Sequence, residues 1–466
     1  MDDIKNASPL QKGGAYESLS ALFDERSFTE LLSGVGNEKG QAGVVCGYGA
    51  VNNALVFAFA QEPSRENGAL GAKEAEKIDA LCKTAEKSGA PVIGIFDGAG
   101  ARITEGVGAL AAYGKLLAAI SSLSGKVPQI AVIKGVCSGM SAIAASTFDF
   151  VIASESAQFY INPPTVQRAE GVRDAGSIAN ASASGAVDIV CPDADAAIAK
   201  ARELVGILPQ NNAQSRAYYE CADDPERATD GVSAAKDGRA VIEEIVDSGS
   251  FIELRRGVAP DAIVGIAALG EVTTGIVAGV TGKALTPEGA RKIASFISFL
   301  DAYSIPLLTI SDGAGIDRSA SSENGALASA LARLSGAYSS STNAKVTLVT
   351  GKVGGAFFTL LGSKAVGADL VYALSGAQIS VMDPAAAVQF LYGDEIKASD
   401  DPAAKRAELT EKYIKENASA DFAAREGIID GILEDALVRA KLISGFNMLW
   451  AKAEGDICRR HAKLPF

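Results

Sequence analysis

The sequence has almost no histidine. Its 466 residues include a single one, His461, close to the end of the chain. This scarcity argues against a Ser–His–Asp or Cys–His catalytic group and against a histidine-ligated zinc or iron site. We expect His461 to be a solvated tail residue. If the protein is an enzyme, backbone dipoles or a cofactor must do the work that histidine usually does.

Cysteine and aromatic residues are also scarce. The six cysteines contain no C-x-x-C pair, so a zinc ribbon is not expected, and we predict no metal site. Aromatic residues make up 6 % of the chain, whereas glycine is plentiful, with 49 residues. Close approach of backbone to backbone is therefore expected in the core.

Long apolar runs and clusters of basic residues are missing as well. No apolar run approaches the ~18–20 residues of a membrane span, and the segment that begins at Met1 lacks the features of a signal peptide. The net charge is −13, and no stripe of Lys and Arg is present to neutralise phosphates, so nucleic acid is not an expected partner. We expect a cytoplasmic protein with free thiols.

The strongest positive feature is an internal repeat. The segment PVIGIFDGAG at residues 91–100 recurs 215 positions later as PLLTISDGAG at residues 306–315. Downstream, QIAVIKG at residues 129–135 matches KVTLVTG at residues 345–351, so the matching segments keep their order. A period this long indicates two domains rather than a solenoid of short units.

Each half alternates short buried strands with amphipathic helices. Strands that are continuous in Val, Ile and Leu, as at residues 91–96, are typical of parallel sheets, and the alternation with helices indicates an α/β fold. We predict two α/β domains related by duplication, residues 1–225 and 226–466, with a polar linker at 208–235. Beyond about Lys397 we predict a charged helical tail.

In each half, a buried strand leads into a glycine-rich turn that opens a helix. These turns are GVCSGMS at residues 135–141 and GKVGGAF at residues 351–357. The N–H groups of such a junction converge on one point, and the helix dipole adds positive potential, which suits an anion or an oxyanion. The alternative is that the glycines only permit close packing of helix against strand.

Charged residues near an earlier turn of each half have two interpretations. Asp97, Asp312, Arg102 and Arg318 are candidates for catalysis, but such residues also brace glycine-rich turns through hydrogen bonds to the backbone and local ion pairs. Cys137 lies in a tight junction, where we expect it to pack rather than to act as a nucleophile.

These motifs together resemble a known family. The chain is similar to the carboxyltransferase subunit of biotin-dependent acyl-CoA carboxylases and decarboxylases, of the propionyl-CoA carboxylase β and methylmalonyl-CoA decarboxylase α type. The resemblance implies two tandem crotonase-like domains of the ClpP/crotonase superfamily. It covers roughly residues 17–450 and is carried by segments 98–106, 127–130, 135–137, 208–212, 246–253, 353–357 and 362–364.

The resemblance also implies site residues. The N-terminal domain would hold the acyl-CoA thioester, and the C-terminal domain would hold biotin on a separate carrier protein or domain. Backbone N–H groups of Gly139 and Met140 would stabilise the thioester enolate, and those of Gly355 and Ala356 the ureido oxygen of biotin. The expected substrate-binding residues are Gly98, Ala99, Gly100, Ala101, Arg102, Gly135, Cys137, Ser138, Gly313, Ala314, Gly315, Val353, Gly354 and Phe357.

Partners follow from the same resemblance. It implies a homo-oligomer, at least a dimer, with active sites at the subunit interface. It also implies a biotin carboxyl carrier protein, and either a biotin carboxylase or membrane decarboxylase subunits. Association with a membrane would come through those partner subunits.

The chain departs from the family pattern in ways that keep alternatives open. Met140 stands where the family has the second glycine of a pair, and Gly313-Ala-Gly315 stands where it has Pro-Gly-Phe. The alternatives are a carboxyltransferase of malonate decarboxylase type, acting on an acyl-carrier thioester, and a non-catalytic scaffold of a carboxylase complex. A crotonase-type hydratase or isomerase is less favoured, because no Glu follows Gly139 until Glu155.

Overall fold

The buried strands of each half assemble into a separate sheet. The computed structural model describes residues 14–37, 40–214, 217–221, 223–235 and 237–452, so His461 lies outside the described residues. The chain divides into two units between Ala217 and Tyr218, inside the predicted linker. We refer to them as unit 1 and unit 2.

Unit 1 contains ten strands and seven α-helices among its described residues. The strands are β1 (Thr29–Leu31), β2 (Gly36–Asn37), β3 (Gly40–Gln41), β4 (Val44–Val51), β5 (Ala54–Gln61), β6 (Val92–Gly98), β7 (Gln129–Ser138), β8 (Phe150–Ser154), β9 (Gln158–Tyr160) and β10 (Ile189–Cys191). The helices are α1 (Gly14–Leu22), α2 (Ala72–Ser88), α3 (Val107–Leu123), α4 (Met140–Ala145), α5 (Pro164–Ala169), α6 (Ile178–Ala183) and α7 (Ala194–Ile207).

Unit 2 contains nine strands and ten α-helices among its described residues. The strands are β11 (Ile252–Leu254), β12 (Ala262–Leu269), β13 (Val272–Gly279), β14 (Leu307–Ser311), β15 (Lys345–Val349), β16 (Lys352–Gly354), β17 (Leu370–Leu374), β18 (Gln378–Ser380) and β19 (Gly431–Leu433). The helices are α8 (Gly238–Ile245), α9 (Pro287–Ala302), α10 (Ala320–Asn324), α11 (Leu327–Ser340), α12 (Gly355–Leu360), α13 (Pro384–Leu391), α14 (Gly393–Ala398), α15 (Pro402–Asn417), α16 (Ala420–Arg425) and α17 (Val438–Met448).

The two main sheets share one topology. Their strand orders are β1-β4-β5-β6-β7-β8-β10 and β11-β12-β13-β14-β15-β17-β19. The first strands of each sheet pair in antiparallel fashion, and the strands from β5 and β13 onward run parallel. β9 pairs with the end of β7, and β18 pairs with β16 at the matching place. The predicted α/β fold with an internal duplication is confirmed.

A glycine in a central strand of unit 1 makes room for large side chains. In unit 1, Phe96 makes edge-to-face contacts with Phe59 and Phe148, with ring centroids 5.5 and 5.7 Å apart. A Cβ on Gly94 would lie 2.6 Å from the Phe59 ring. Glycine at this buried strand position therefore permits the aromatic cluster that fills the core.

The predicted helical tail is wrong in one respect. The segment beyond Lys397 does contain helices, but it also supplies β19, which pairs with β17 and completes the sheet of unit 2. α17 follows, and its Leu442 and Phe446 are buried in the core of that unit. The charged residues of α15 dominate the composition of this segment, so the short strand that follows is not apparent from the sequence.

No helix within the described ranges is both long enough and apolar enough to cross a bilayer.

Candidate active site

An aspartate braces the glycine-rich turn at the strand end in each unit. The Val136 N–H donates to Asp97 Oδ1 at 3.1 Å, and the Lys352 N–H donates to Asp312 Oδ1 at 3.2 Å. These bonds tie the end of β6 to β7, and the turn after β14 to the start of β16. The bracing interpretation of the two aspartates is confirmed.

Glycine at the start of each turn makes room for that aspartate. A Cβ on Gly135 would lie 2.1 Å from Asp97 Oδ1, and a Cβ on Gly351 would lie 2.4 Å from Asp312 Oδ1. Any larger residue would have to displace the carboxylate. These two glycines therefore leave the space that the bracing carboxylates occupy.

Arg102 is buried, at 7 % exposure, and is surrounded by carboxylates. Its Nη2 lies 2.8 Å from Glu74 Oε1, its Nη1 lies 3.0 Å from Glu105 Oε1, and its Nε contacts Glu66. Burial alone would lower the pKa of Arg102, but the hydrogen bonds to these carboxylates raise it above its ordinary value. These contacts fit the ion-pair interpretation of Arg102, whose guanidinium holds the turn in place.

The other residues of the first turn in unit 1 lie against the end of β7. Gly98 is in register with Cys137, and a Cβ on Gly100, whose φ is +88°, would lie 2.9 Å from the Ser138 carbonyl oxygen. The Ala99 N–H donates to Asn67 O at 2.9 Å. Cys137 is fully buried, and burial raises the pKa of its thiol, so the expected packing role suits it better than a nucleophilic one.

The two expected N–H donors of unit 1, Gly139 and Met140, lie at the start of α4 and differ in their hydrogen bonds. Gly139 adopts a φ of +57°, and its N–H donates to the Tyr160 carbonyl at 2.8 Å. Met140 is the first residue of α4, where a backbone N–H has no carbonyl four residues back to bind. Its side chain is partly buried and packs against the core of unit 1. Of the predicted pair, Met140 therefore offers the N–H that the fold does not use.

A cavity of about 800 Å³ opens at the equivalent place in unit 2, and we call it the unit 2 cavity. The turn after β14 and the glycine-rich turn that opens α12 both contribute to its wall. The lining residues are 313–318, Glu323, 352–356, Gln378 and 380–384. The predicted residues Gly313, Ala314, Gly315, Val353, Gly354, Gly355 and Ala356 are all among them.

Phe357 is the predicted unit 2 residue that lies outside this lining. It is 1 % exposed, and its ring would be 2.6 Å from a Cβ on Gly313. Phe357 therefore supports the turn from beneath instead of facing the cavity.

Backbone geometry at the start of α12 matches that of α4. Gly355 has a φ of +54°, close to that of Gly139, and a Cβ there would lie 3.1 Å from the Val381 carbonyl oxygen. Ala356 follows in the first turn of α12, where N–H groups have no intrahelical acceptor, and its side chain is exposed. The N–H of Ala356 is thus available to a ligand in the cavity.

Three residues of the cavity wall were not predicted from the sequence. Lys352, Gln378 and Asp383 line it but were not singled out as site residues. The repeat carried the signal, since it matches Gln158 with Gln378 and places a proline soon after each, the second being Pro384.

The sequence matches one protein family over almost its whole length. A family model described as the carboxyl transferase domain matches residues 11–464. The chain is 34% identical over 479 residues to the methylmalonyl-CoA decarboxylase subunit alpha of Propionigenium modestum, a match that covers 97% of this chain and 93% of that protein. It is 34% identical over 441 residues to the propionyl-CoA carboxylase, carboxyltransferase subunit, of Haloferax mediterranei, with coverages of 91% and 86%.

A solved structure is similar along almost the whole chain. The crystal structure of transcarboxylase 12S, described as a hexamer assembly with methylmalonyl-coenzyme A and methylmalonic acid bound, has a TM-score of 0.92. It is 31% identical in sequence, and the match covers 97% of this chain and 92% of that one. The resemblance predicted from the sequence is therefore confirmed: this chain belongs to the carboxyl transferase domain family.

Proposed function

We propose that this chain is a biotin-dependent acyl-CoA carboxyltransferase. It moves a carboxyl group between biotin on a carrier protein and an acyl-CoA, with acetyl- or propionyl-CoA as one member of the pair and malonyl- or methylmalonyl-CoA as the other. The observation that carries the proposal is the unit 2 cavity, in which two glycine-rich turns of a carboxyl transferase domain converge. Binding of methylmalonyl-coenzyme A by transcarboxylase 12S supports the choice of substrate class.

The two units divide the ligands in this proposal. The acyl-CoA binds on the side of unit 1, in the predicted domain 1–225, and biotin binds in the unit 2 cavity, in the predicted domain 226–466. A biotin carrier is required as a partner, together with a biotin carboxylase or membrane decarboxylase subunits. The hexamer of transcarboxylase 12S supports an oligomer, with active sites that we place at the subunit interface.

The glycines of the cavity wall would let the backbone come close to the planar ureido group of biotin. Glycine at positions 354 and 355 keeps the wall thin, because a Cβ there would lie 3.1 Å from the Ser380 and Val381 carbonyl oxygens, respectively. When bound, biotin would carry the carboxyl group and accept the α-proton of the acyl group. The Ala356 N–H would hold the ureido oxygen, with Gly355 setting its direction.

Unit 1 stabilises charge on the thioester. The Met140 N–H, at the start of α4, would donate to the thioester oxygen as the enolate forms. The aspartate braces hold both turns rigid, so the donors are positioned before the ligand arrives. No side chain of this chain needs to exchange a proton in this scheme, which agrees with the near absence of histidine.

A matched pair of variants at Ala356 tests the proposal. Proline is tolerated in the first turn of a helix, so Ala356→Pro removes the N–H donor with little cost to α12. Loss of one such donor is expected to slow transfer by about 10²–10³-fold. Ala356→Gly keeps the N–H and should retain most of the activity.

The assay follows a radiolabelled carboxyl group from malonyl-CoA or methylmalonyl-CoA to a biotinylated carrier protein, and to free biotin. Absence of transfer by the wild-type protein from either CoA ester would contradict the proposal. Transfer from an acyl-carrier thioester alone would indicate the malonate decarboxylase type, and binding of the carrier without turnover would indicate a scaffold.

A further inference from the structure

Two cations on the wall of the unit 2 cavity have no ionic partner among the described residues. Arg318 and Lys352 both line the cavity and are exposed. Within the described part of the chain, neither side chain forms an ion pair or a hydrogen bond. They are therefore available to a negatively charged ligand.

The duplication shows that these charges are particular to unit 2. The Arg102 N–H donates to Leu70 O at 2.9 Å, and the Asp317 N–H donates to Leu285 O at 3.0 Å. Because these bonds are equivalent, the residues that follow, Ile103 and Arg318, occupy matched positions. Ile103 is 91 % exposed, so an apolar side chain stands in unit 1 where a guanidinium stands in unit 2.

The second cation shows the same contrast. Val136 and Lys352 donate their N–H groups to the equivalent aspartates, which fixes them as matched positions. An apolar pair, Ile103 and Val136, thus becomes a cationic pair, Arg318 and Lys352, while the backbone around it is conserved between the units. A change of charge at both positions points to a change of ligand rather than to a requirement of the fold.

Acidic residues also face the cavity, and most are engaged. Asp317 Oδ2 accepts from Ser319 Oγ at 2.7 Å and also from Ser322 Oγ. Asp383 Oδ1 accepts from the Ala386 N–H at 2.9 Å, at the start of α13. Glu323 is the remaining carboxylate of the lining, and it is exposed. Asp317 and Asp383 thus bind local hydroxyl and backbone groups, while both cations stay available.

We infer that Arg318 and Lys352 bind the carboxylate of the group in transfer, and so discriminate the carboxylated from the uncarboxylated ligand. This inference rests on the proposed function and deepens it. A guanidinium can bind a carboxylate through two parallel hydrogen bonds, and an ammonium adds a point charge. The carboxylate has two sources in this reaction, the carboxylated carrier and the 2-carboxyacyl thioester, and the test separates them.

The test replaces each cation by its counterpart from unit 1, in the double variant Arg318→Ile/Lys352→Val. Loss of hydrogen bonds to a charged group is expected to lower kcat/KM for transfer by about 10- to 100-fold. The Kd of propionyl-CoA, which has no carboxylate, should stay unchanged. Arg318→Lys should retain part of the activity because it keeps the charge. Raised ionic strength should lower the kcat/KM of the wild-type protein more than that of the double variant.

A matched control removes two charges elsewhere. Lys412→Gln/Lys441→Gln changes two exposed lysines outside the cavity lining by the same total charge. This control should show wild-type kinetics, so a general loss of electrostatic attraction can be told apart from a lost contact.

The outcomes identify the source of the carboxylate. A raised Kd of methylmalonyl-CoA in the double variant assigns the contact to the thioester. An unchanged Kd with a raised KM of the carboxylated carrier, measured in the reverse direction, assigns it to the carrier. Unaltered kcat/KM in both directions, or an equal loss of affinity for propionyl-CoA, would overturn the inference. Absence of transfer by the wild-type protein would instead overturn the proposed function.

Discussion

In each unit, one buried lysine donates to backbone carbonyl groups at the start of a strand. Lys77 Nζ donates to Val44 O at 2.8 Å, and Lys292 Nζ donates to Ala262 O at 2.8 Å and Val258 O at 2.9 Å. Both lysines are almost fully buried on the equivalent helices α2 and α9. Burial of the ammonium group lowers the pKa of Lys292 to about 8.

This pKa gives the stability of unit 2 a dependence on pH. Below pH 8 Lys292 is charged in both states, and the cost of its burial is fully present. Between pH 8 and 10.5 the unfolded chain keeps a proton that the folded chain loses, so stability rises with pH. We predict that Lys292→Met removes this rise, which amounts to at most about 3 kcal/mol.

Urea unfolding at pH 8 and pH 10 measures the effect, with the exposed Lys441→Met as the control. The free energy of unfolding of the wild type should rise relative to that of Lys292→Met when the pH is raised from 8 to 10. Parallel behaviour of all three proteins would show that Lys292 does not titrate in this range.

The glycines behind the aspartate braces provide a second prediction at this scale. A Cβ on Gly351 would lie 2.4 Å from Asp312 Oδ1, so Gly351→Ala must displace the carboxylate that orders the turn. We expect a loss of about 1–3 kcal/mol in the free energy of unfolding and a fall in transfer activity. Gly376→Ala is the control, because nothing lies within 4 Å of its Cβ position. Equal stability of the two variants would contradict the bracing role.

Elements were predictable where a pattern was both local and repeated. The buried strand at residues 91–96 corresponds to β6, and the recurrence of its sequence at 306–315 identified the duplication. Continuous apolar strands followed by glycine specify a parallel strand and the turn after it. β19 was missed, because Gly431–Leu433 is too short to show a period and is surrounded by helices.

The candidate site was predictable as backbone turns, but not in the details of its hydrogen bonds. The glycine-rich turns at residues 135–141 and 351–357 were identified from the sequence. That Gly139 gives its N–H to Tyr160 was not, because this bond depends on the pairing of β9 with β7. Arg318 was considered as a catalytic candidate or as a brace, but not as part of a cavity wall, since its cavity forms from segments that are distant in sequence.

The start of α4 allows a prediction for unit 1. Met140→Pro removes the N–H that we assign to the thioester oxygen, at a helix position that tolerates proline. Transfer should fall by about 10²–10³-fold, whereas the Kd of the CoA ester changes little. Met140→Leu keeps both the N–H and the volume of the side chain, and should remain within a few-fold of wild type. Similar activity of the two variants would show that the Met140 N–H takes no part.

At the scale of the whole molecule, the duplication gives each unit its own core. The core of unit 2 includes a charged residue, since the side chain of Arg439 on α17 is completely inaccessible. Arg439 Nη2 lies 2.6 Å from Asp247 Oδ1, and its Nη1 donates to Ile245 O at 2.7 Å. This arginine thereby ties α17 to the end of α8 and to the segment that follows it, all within unit 2.

Arg439→Ala should therefore destabilise unit 2 and leave unit 1 intact. Removal of one partner of a buried ion pair leaves an uncompensated charge on Asp247 and is expected to cost about 3–5 kcal/mol. Calorimetry of the variant should show an early transition, and proteolysis near that temperature should cut within residues 218–452. Lys73→Ala in unit 1 is the control, because its ion pair with Glu76 is exposed and contributes little. A single transition of the whole chain, shifted to lower temperature, would show that the two copies unfold as one cooperative body, and that their separate cores do not give them separate stabilities.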